Sequence, residues 1–252
     1  MAYRIDPRDL LKTGAHFGHN TSRWNPKMAE YIFDKKDGVH IIDLVKTAEL
    51  LEVAQAAIEK IASTGKQVLF VSTKPQARAI IEKVTTDTNS PYVVNRWPGG
   101  LMTNWQTMSK RIAYMKNLQT KMDSGELAAK YNKLEVQRYQ EEIDEMMVLY
   151  GGVANMDGAP SAVIVADIQV DNIAVAEARK LGIPVFAIVD TNSNPINIDY
   201  PIPANDDAIK AVSFIIEKLA EAITIGQGKV KKEMPKAEAK VDAKAETVKE
   251  EK

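Results

Sequence analysis

Three short apolar runs restrict the fold of this chain more than any other feature: QVLFVST (67–73), SAVIVAD (161–167) and IPVFAIVD (183–190). Their apolar residues are consecutive and do not alternate with polar ones, which is typical of strands that helices cover on both faces. Two further runs, GVHIID (38–43) and PYVVN (91–95), have the composition of shorter strands. The pattern predicts about five strands.

Amphipathic segments separate these runs. VKTAELLEVAQAAIEKIAST (45–64) precedes the first long run, NIAVAEARKLG (172–182) lies between the last two, and DDAIKAVSFIIEKLAEAITIG (206–226) follows them. Strands that alternate with helices pair in parallel through right-handed crossovers. We therefore predict an α/β fold with an open parallel sheet of about five strands and helices on both faces.

Residues 103–150 interrupt this alternation, because they contain no strand pattern. Two helical stretches, separated near DSGE (123–126), each place apolar residues along one stripe and polar residues elsewhere. Two long helices with one stripe each predict a protruding, antiparallel coiled-coil hairpin. Burial of both helices in the core is the alternative.

Composition divides the chain into three parts. Residues 1–102 and 151–226 are predicted to form a discontinuous globular α/β domain, residues 103–150 a coiled-coil insertion, and residues 227–252 a disordered charged tail. The tail has almost no large apolar residue, so it cannot bury enough surface to offset the entropy of ordering.

The absence of cysteine excludes disulfides, thiolate metal sites and cysteine nucleophiles. The charged N-terminal segment has no apolar run of the signal-peptide type, and no stretch approaches the ~20 apolar residues that span a bilayer. We expect a cytoplasmic protein without membrane contact, cofactor or homo-oligomer.

The net charge of −1 conceals an asymmetry along the chain. Residues 66–133 hold 11 basic and 4 acidic residues, a balance of +7. Residues 134–228 hold 5 basic and 15 acidic residues, a balance of −10. Such a distribution indicates a surface that binds polyanions on one side; solvated faces of ordinary helices are the alternative.

Motifs of nucleotide enzymes are absent from the sequence, which contains neither G-x-G-x-x-G nor G-x-x-x-x-G-K-[ST]. Asp167 and Asp190 end two predicted strands, where ligands of open α/β sheets bind, and such carboxylates can hold Mg²⁺. A metal-dependent phosphate-handling enzyme is therefore the alternative to a protein without catalytic activity, which we favour because no nucleophile completes the set.

His16 and His19 lie three residues apart, a spacing at which two imidazoles can bind one metal ion. Asp190 or Asp206 could join them in the folded chain. Because the sequence gives no recognisable third ligand, hydrogen-bonded packing is the favoured interpretation, and we predict no metal site.

Two segments share an unusual composition, HFGHNTSRWNPKM (16–28) and NRWPGGLMTNW (95–105). Arginine forms bidentate hydrogen bonds with phosphate and stacks on aromatic rings, and glycine permits close backbone approach. Structured RNA is recognised through phosphate, ribose and shape, so these segments predict an RNA-binding face. Its general electrostatic attraction is expected from Lys74, Lys110, Arg111, Lys116 and Lys121. Anchoring of loops in the core is the alternative role for Trp24, Trp97 and Trp105.

Six motifs occur in the order and spacing of one protein family: LLKTGAHFGHNTSRWNPKMAEYIF, GVHIIDLVKT, LFVSTK, NRWPGGLMTNW, ARKLGIPVFAIVDTNSNP and IDYPIPANDDAI. From about residue 8 to residue 225, the chain resembles the second protein of the bacterial small ribosomal subunit (the S-two family). This resemblance implies the same parallel α/β sheet with a protruding coiled-coil hairpin.

The resemblance also implies a function. A member of this family is a structural, non-catalytic constituent of the small subunit that binds small-subunit ribosomal RNA. It supports late assembly and translation, and it helps to dock the large mRNA-binding first protein among neighbouring small-subunit proteins. The residues implied to shape or contact RNA are His16, Phe17, His19, Arg23, Trp24, Asn25, Lys27, Arg96, Trp97, Gly99, Gly100 and Asn104. A protein-only scaffold that acts through the hairpin is the remaining alternative.

Overall fold

The structure, a computed structural model, describes the backbone of residues 3–247 and the side chains of residues 3–229. In chain order, its strands are β1 (Phe17–Asn20), β2 (Ile32–Lys36), β3 (Val39–Ile42), β4 (Val68–Val71), β5 (Tyr92–Val93), β6 (Ala162–Val165), β7 (Val185–Val189) and β8 (Tyr200–Pro203). Its α-helices are α1 (Pro7–Thr13), α2 (Leu44–Ala62), α3 (Pro75–Thr88), α4 (Trp105–Asp123), α5 (Glu126–Lys130), α6 (Lys133–Tyr150), α7 (Asn172–Lys180) and α8 (Ile209–Thr247).

Five of these strands form a parallel sheet in the order β5-β4-β6-β7-β8, so the predicted sheet is confirmed. β4, β6 and β7 are buried along their whole length, as their uninterrupted apolar runs predict. The fifth strand is β8, whose sequence YPIP contains two prolines. Proline cannot donate a hydrogen bond to a neighbouring strand, and accordingly β8 lies at the edge of the sheet.

The run GVHIID does not belong to this sheet, which corrects the expectation that it supplies one of the five strands. It forms β3, the centre of a separate antiparallel sheet with the order β1-β3-β2. The short turn between β2 and β3 makes them a hairpin, so β3 has a local antiparallel partner and needs no crossover.

Alternate residues of the parallel sheet enter two separate cores. Val68 and Phe70 face one core, which α1, α2, α3 and α8 cover. Leu69 and Val71 face the other, to which α4, α6 and α7 contribute. Helices therefore cover both faces of the sheet, as predicted.

Residues 103–150 form α4, the short α5 and α6, with a break at Gly125, where φ is +76°. Trp105 at the start of α4 and Tyr150 at the end of α6 pack against the same core, and the two helices are in contact. The two long helices are thus antiparallel neighbours. Coiled-coil packing and protrusion remain predictions.

The last helix, α8, starts near the predicted position but continues past residue 226 to Thr247. It thereby extends into the segment that the sequence predicts to be a disordered tail. The side chains after Lys229 lie outside the described residues, and the division into domains stays a prediction. Between residues 3 and 247, no helix is both long and apolar enough to cross a membrane.

Candidate nucleic-acid interface

The loop of residues 95–104 is held by a single carboxylate, Glu177 of α7. Oε1 of Glu177 accepts hydrogen bonds from Nε1 of Trp97 at 3.0 Å and from the backbone N of Gly100 at 2.7 Å. Oε2 accepts from the backbone N of Met102 at 3.1 Å, and from the backbone N and Oγ1 of Thr103 at 3.0 Å each. Five donors of one loop therefore converge on one buried side chain.

Trp97 belongs to the core and not to the exposed surface. Only 8% of it is exposed, and it packs with Leu101 and Met102 beneath the sheet. Burial of Glu177 opposes ionisation, but the hydrogen bonds from Thr103, Trp97 and Gly100 outweigh this effect and hold the pKa of the carboxyl below its ordinary value. Trp97 thus shapes the loop instead of stacking on a partner.

Other residues of this loop face outward. Arg96 and Gly99 are exposed, and a Cβ added to Gly99 would meet no atom within 4 Å. Gly100 has φ +84°, a conformation that favours glycine, and its carbonyl accepts a hydrogen bond from the backbone N of Asn104 at 2.8 Å. Asn104, also exposed, immediately precedes α4.

The segment of residues 14–31 approaches the same core. The backbone N of Asn25 donates to the carbonyl of Thr191 at 2.7 Å, and Oδ1 of Asn25 accepts from the backbone N of Lys27 at 3.0 Å. This bond starts a 3₁₀ helix, Pro26–Tyr31, whose Met28 is fully buried with Trp97 in one cluster. Met28 of this segment and Trp97 of the other loop are therefore anchored in the same core, whereas Ala15 belongs to the opposite one.

The first segment carries exposed cations and aromatic rings. Arg23, Lys27, Phe17 and Trp24 are exposed on the first segment, with Trp24 packed 5.1 Å from the ring of His40. His16 is half-buried, 4.0 Å from the ring of Phe17, and burial lowers its pKa.

The helix α4 continues the basic surface. Lys110, Arg111 and Lys116 are exposed on it, and Nζ of Lys116 donates to Oδ1 of Asn155 at 3.2 Å. Among the side chains of residues 3–229, none of the following forms an ion pair with a carboxylate: Arg23, Lys27, Arg96, Lys110 and Arg111.

Lys74 is not available to RNA, which corrects its assignment to the RNA-binding set. Its Nζ lies 3.0 Å from Asp167, 2.8 Å from Asp206 and 2.7 Å from Asp207. Burial favours the neutral amine, but these carboxylates outweigh it and raise the pKa of Lys74. The protein's own lysine thus offsets part of the negative charge at the carboxyl ends of the parallel strands.

His19 lies beside this cluster. Its Nδ1 is 3.1 Å from Oδ1 of Asp190, the contact that does most to raise the pKa of His19, and its Nε2 is 3.6 Å from Asp207. Burial raises the pKa of Asp206 to about 6. His19, Asp206 and Asp207 offer ligand atoms within 4.8 Å of one another and could hold a cation, for which Lys74 competes.

Gly18 packs closely against its neighbours and thereby helps to position the adjacent His19. We therefore expect Gly18→Ala to lower the free energy of unfolding by about 2 kcal/mol. A Cβ at Gly18 would lie 2.6 Å from Cγ2 of Thr191 and 3.1 Å from the carbonyl oxygen of His40. Urea denaturation measures the loss. Gly158→Ala is the matched control, because a Cβ there meets no atom within 4 Å. Equal losses in the two variants would contradict this packing.

Sequence reasoning missed Glu177 and the place of Lys74 among the aspartates at the strand ends. One signal for Glu177 was present: it lies on the buried stripe of α7, where Glu177 and Ala178 follow Ala174 at the helical spacings of three and four. A carboxylate on an otherwise apolar stripe requires buried donors. The partners of Lys74 are 93 to 133 residues away in the chain, so no local pattern indicates them.

Comparisons with known proteins agree on one family. A family model described as ribosomal protein S2 matches residues 10–226. The chain is 43% identical to the small ribosomal subunit protein uS2 of Cytophaga hutchinsonii over 242 residues, which cover 96% of this chain and 95% of that protein. It is 45% identical to the protein of the same name from Acinetobacter baylyi over 244 residues, covering 97% and 96%. For Chlorobium chlorochromatii the identity is 46% over 217 residues, 85% of each chain.

Proposed function

Because this chain belongs to the ribosomal protein S2 family, we propose that it is a structural constituent of the small ribosomal subunit that binds small-subunit ribosomal RNA. The binding surface is the face formed by residues 14–31, residues 95–104 and the first turns of α4. One observation carries this proposal: Met28 of the first segment and Trp97 of the second belong to one core, and the exposed cations of both segments have no ion-pair partners among the described side chains.

The chemistry of this face fits folded RNA. Guanidinium groups of Arg23 and Arg96 can each contact a phosphate with two parallel hydrogen bonds, while Lys27 adds a point charge. Exposed rings of Phe17 and Trp24 can stack on unpaired bases. Gly99 has open space around it, so an RNA backbone can approach the chain closely there.

Finer roles belong to the same proposal. The net negative charge of residues 134–228 suits contact with neighbouring subunit proteins, including the large mRNA-binding first protein. Residues 103–150 act as an insertion in the α/β domain and extend the contact area. Binding of both RNA and protein partners supports late assembly of the subunit and translation.

Members of this family are structural proteins, so the chain is not an enzyme. The alternative of a metal-dependent phosphate-handling enzyme is thereby wrong. Its two carboxylates have other partners, because Asp167 binds Lys74 and Asp190 binds His19.

The proposal is tested by sedimentation of cell lysate on sucrose gradients at low and high salt. Comigration with small subunits that salt loosens is expected, because displaced counterions make phosphate binding salt-dependent. Association that survives nuclease digestion of the RNA would instead support the protein-only scaffold. Absence from the subunit fraction at low salt would contradict both.

Charge reversal of Arg96, Lys110 and Arg111 to glutamate is expected to abolish most incorporation into subunits without unfolding the protein. The slope of log binding constant against log salt should fall by about 1 for each phosphate contact removed. The matched control reverses Lys60, Arg78 and Lys83, which are exposed on α2 and α3, the helices that cover the opposite core. Purified particles and circular dichroism measure incorporation and folding; equal incorporation of the two triple variants would refute the proposed face.

A further inference from the structure

We propose that a polar cleft beside this face is a pocket for one unpaired nucleotide of the ribosomal RNA; this inference rests on the proposed function. The cleft has a volume of about 640 Å³ and lies between α7, the segment after β7 and the first RNA-binding segment. Its walls carry six side-chain amides: Asn25, Gln169, Asn172, Asn192, Asn194 and Asn197.

Three of these amides have their oxygen engaged. Oδ1 of Asn25 accepts from the backbone of Lys27, Oδ1 of Asn192 accepts from Oγ of Ser193 at 3.0 Å, and Oδ1 of Asn194 accepts from the backbone of Ile196 at 3.2 Å. Each oxygen is fixed by its own chain segment. The NH₂ groups have no partner among the described residues, so three NH₂ groups, each with two N–H donors, remain for a ligand.

Two other amides have the opposite arrangement. Nε2 of Gln169 donates to the carbonyl of Asn192 at 2.7 Å, and Nδ2 of Asn172 donates to the carbonyl of Gln169 at 2.8 Å. Their side-chain oxygens accept no hydrogen bond from the described residues. The cleft therefore presents oriented donors and acceptors together, which is what the edge of a nucleobase requires.

The remaining lining fits the other parts of a nucleotide. Ile168, Val175 and Ile198 are buried beneath the amides and offer an apolar surface for the face of a base. Arg179 of α7 is exposed at the rim, where its guanidinium can bind the phosphate, and it forms no ion pair with any described side chain. The volume lies within the usual range of small-ligand sites, roughly 300–1,000 Å³.

Charge favours a nucleotide over a peptide in this cleft. Residues 134–228 have a balance of −10, yet the described lining of the cleft contains no carboxylate and one arginine. The cleft is thus an exception within an acidic segment. Asn25 also belongs to the first RNA-binding segment, so the cleft is continuous with the proposed face.

The test compares Arg179→Ala with Lys180→Ala, since both remove one charge from the last turn of α7 and only Arg179 lines the cleft. Asn197→Ala is the second cleft variant. Full-length proteins are added to small subunits reconstituted without this protein, and dissociation constants and base-specific chemical modification of the ribosomal RNA are measured. The wild type and Lys180→Ala should protect one unpaired nucleotide that both cleft variants leave reactive, with binding weakened about tenfold.

The outcomes separate the two proposals. If the wild type does not bind these subunits, the proposed function fails. If the wild type binds and both cleft variants match it in affinity and in every protection, the nucleotide pocket is wrong while the proposed function stands. Intact RNA protection with reduced retention of another subunit protein would assign the cleft to a peptide and overturn the pocket. Thermal melting by circular dichroism, measured for each variant separately, identifies any that misfold.

Discussion

Replacing Glu177 by glutamine is expected to lower the free energy of unfolding by about 3 kcal/mol and the melting temperature by roughly 6–12 °C. In the wild type, five donors of residues 97–103 share the two carboxylate oxygens. The glutamine NH₂ group would face buried N–H groups that it cannot accept from. The loop should loosen, and RNA binding should weaken with it.

The loss of unfolding free energy caused by Glu177→Gln should decrease as the pH falls. Hydrogen bonds hold the folded-state pKa of Glu177 below its ordinary value of 4.5 despite burial. Its contribution to stability is therefore complete above about pH 4.5 and is lost as the pH falls through the folded-state pKa. Below that range, the difference in unfolding free energy between the wild type and Glu177→Gln should shrink.

Urea denaturation from pH 3 to pH 7.5 measures both features. Glu82→Gln is the matched control, because Glu82 is half exposed and lies 3.8 Å from Arg78 on the surface of α3. That variant should lose less than about 0.5 kcal/mol. Comparable losses in the two variants at pH 7.5 would show that Glu177 does not hold the loop.

The parallel sheet could be predicted from the sequence because its central strands are buried on both faces, which leaves consecutive apolar residues in β4, β6 and β7. Which segment forms the fifth strand could not be predicted from the sequence. GVHIID has the composition of a sheet strand, but its hairpin with β2 gives it a different partner. YPIP is not recognisable as a strand from the sequence, because its two prolines are compatible with a strand only at the edge of a sheet.

The candidate face was only partly predictable. Composition singles out the two loops, because clusters of arginine, glycine and asparagine are uncommon in a protein core. Composition does not distinguish the buried Trp97 from the exposed Trp24. From the sequence, Lys74 is indistinguishable from the other lysines of the basic segment 66–133, for which attraction to RNA is the expectation. Its true partners, Asp167 and Asp206, meet it only through the crossover topology of the sheet.

The second large loss of stability is expected from the ion pairs of Lys74 with Asp167 and Asp206. Lys74→Met is expected to lower the free energy of unfolding by about 4 kcal/mol at pH 7.5, because the buried carboxylates of Asp167 and Asp206 would lose their only lysine partner among the described residues. Urea denaturation measures the loss. The matched control is Lys83→Met, whose ion pair with Glu217 spans 3.0 Å on the surface with both partners largely exposed, and it should cost less than about 0.5 kcal/mol.

Acidification should partly rescue Lys74→Met. The pKa of Asp206 is already raised to about 6 by burial, so the folded state binds its proton more tightly than the unfolded state does. Removing the ammonium group raises this pKa further, and below pH 6 Asp206 becomes neutral and no longer requires a cation. The loss relative to the wild type should shrink to about 2 kcal/mol at pH 5. Adding Asp206→Asn should rescue the variant similarly at pH 7.5, whereas a loss independent of both pH and Asp206 would mean that packing of the lysine stem, and not charge, stabilises this edge of the sheet.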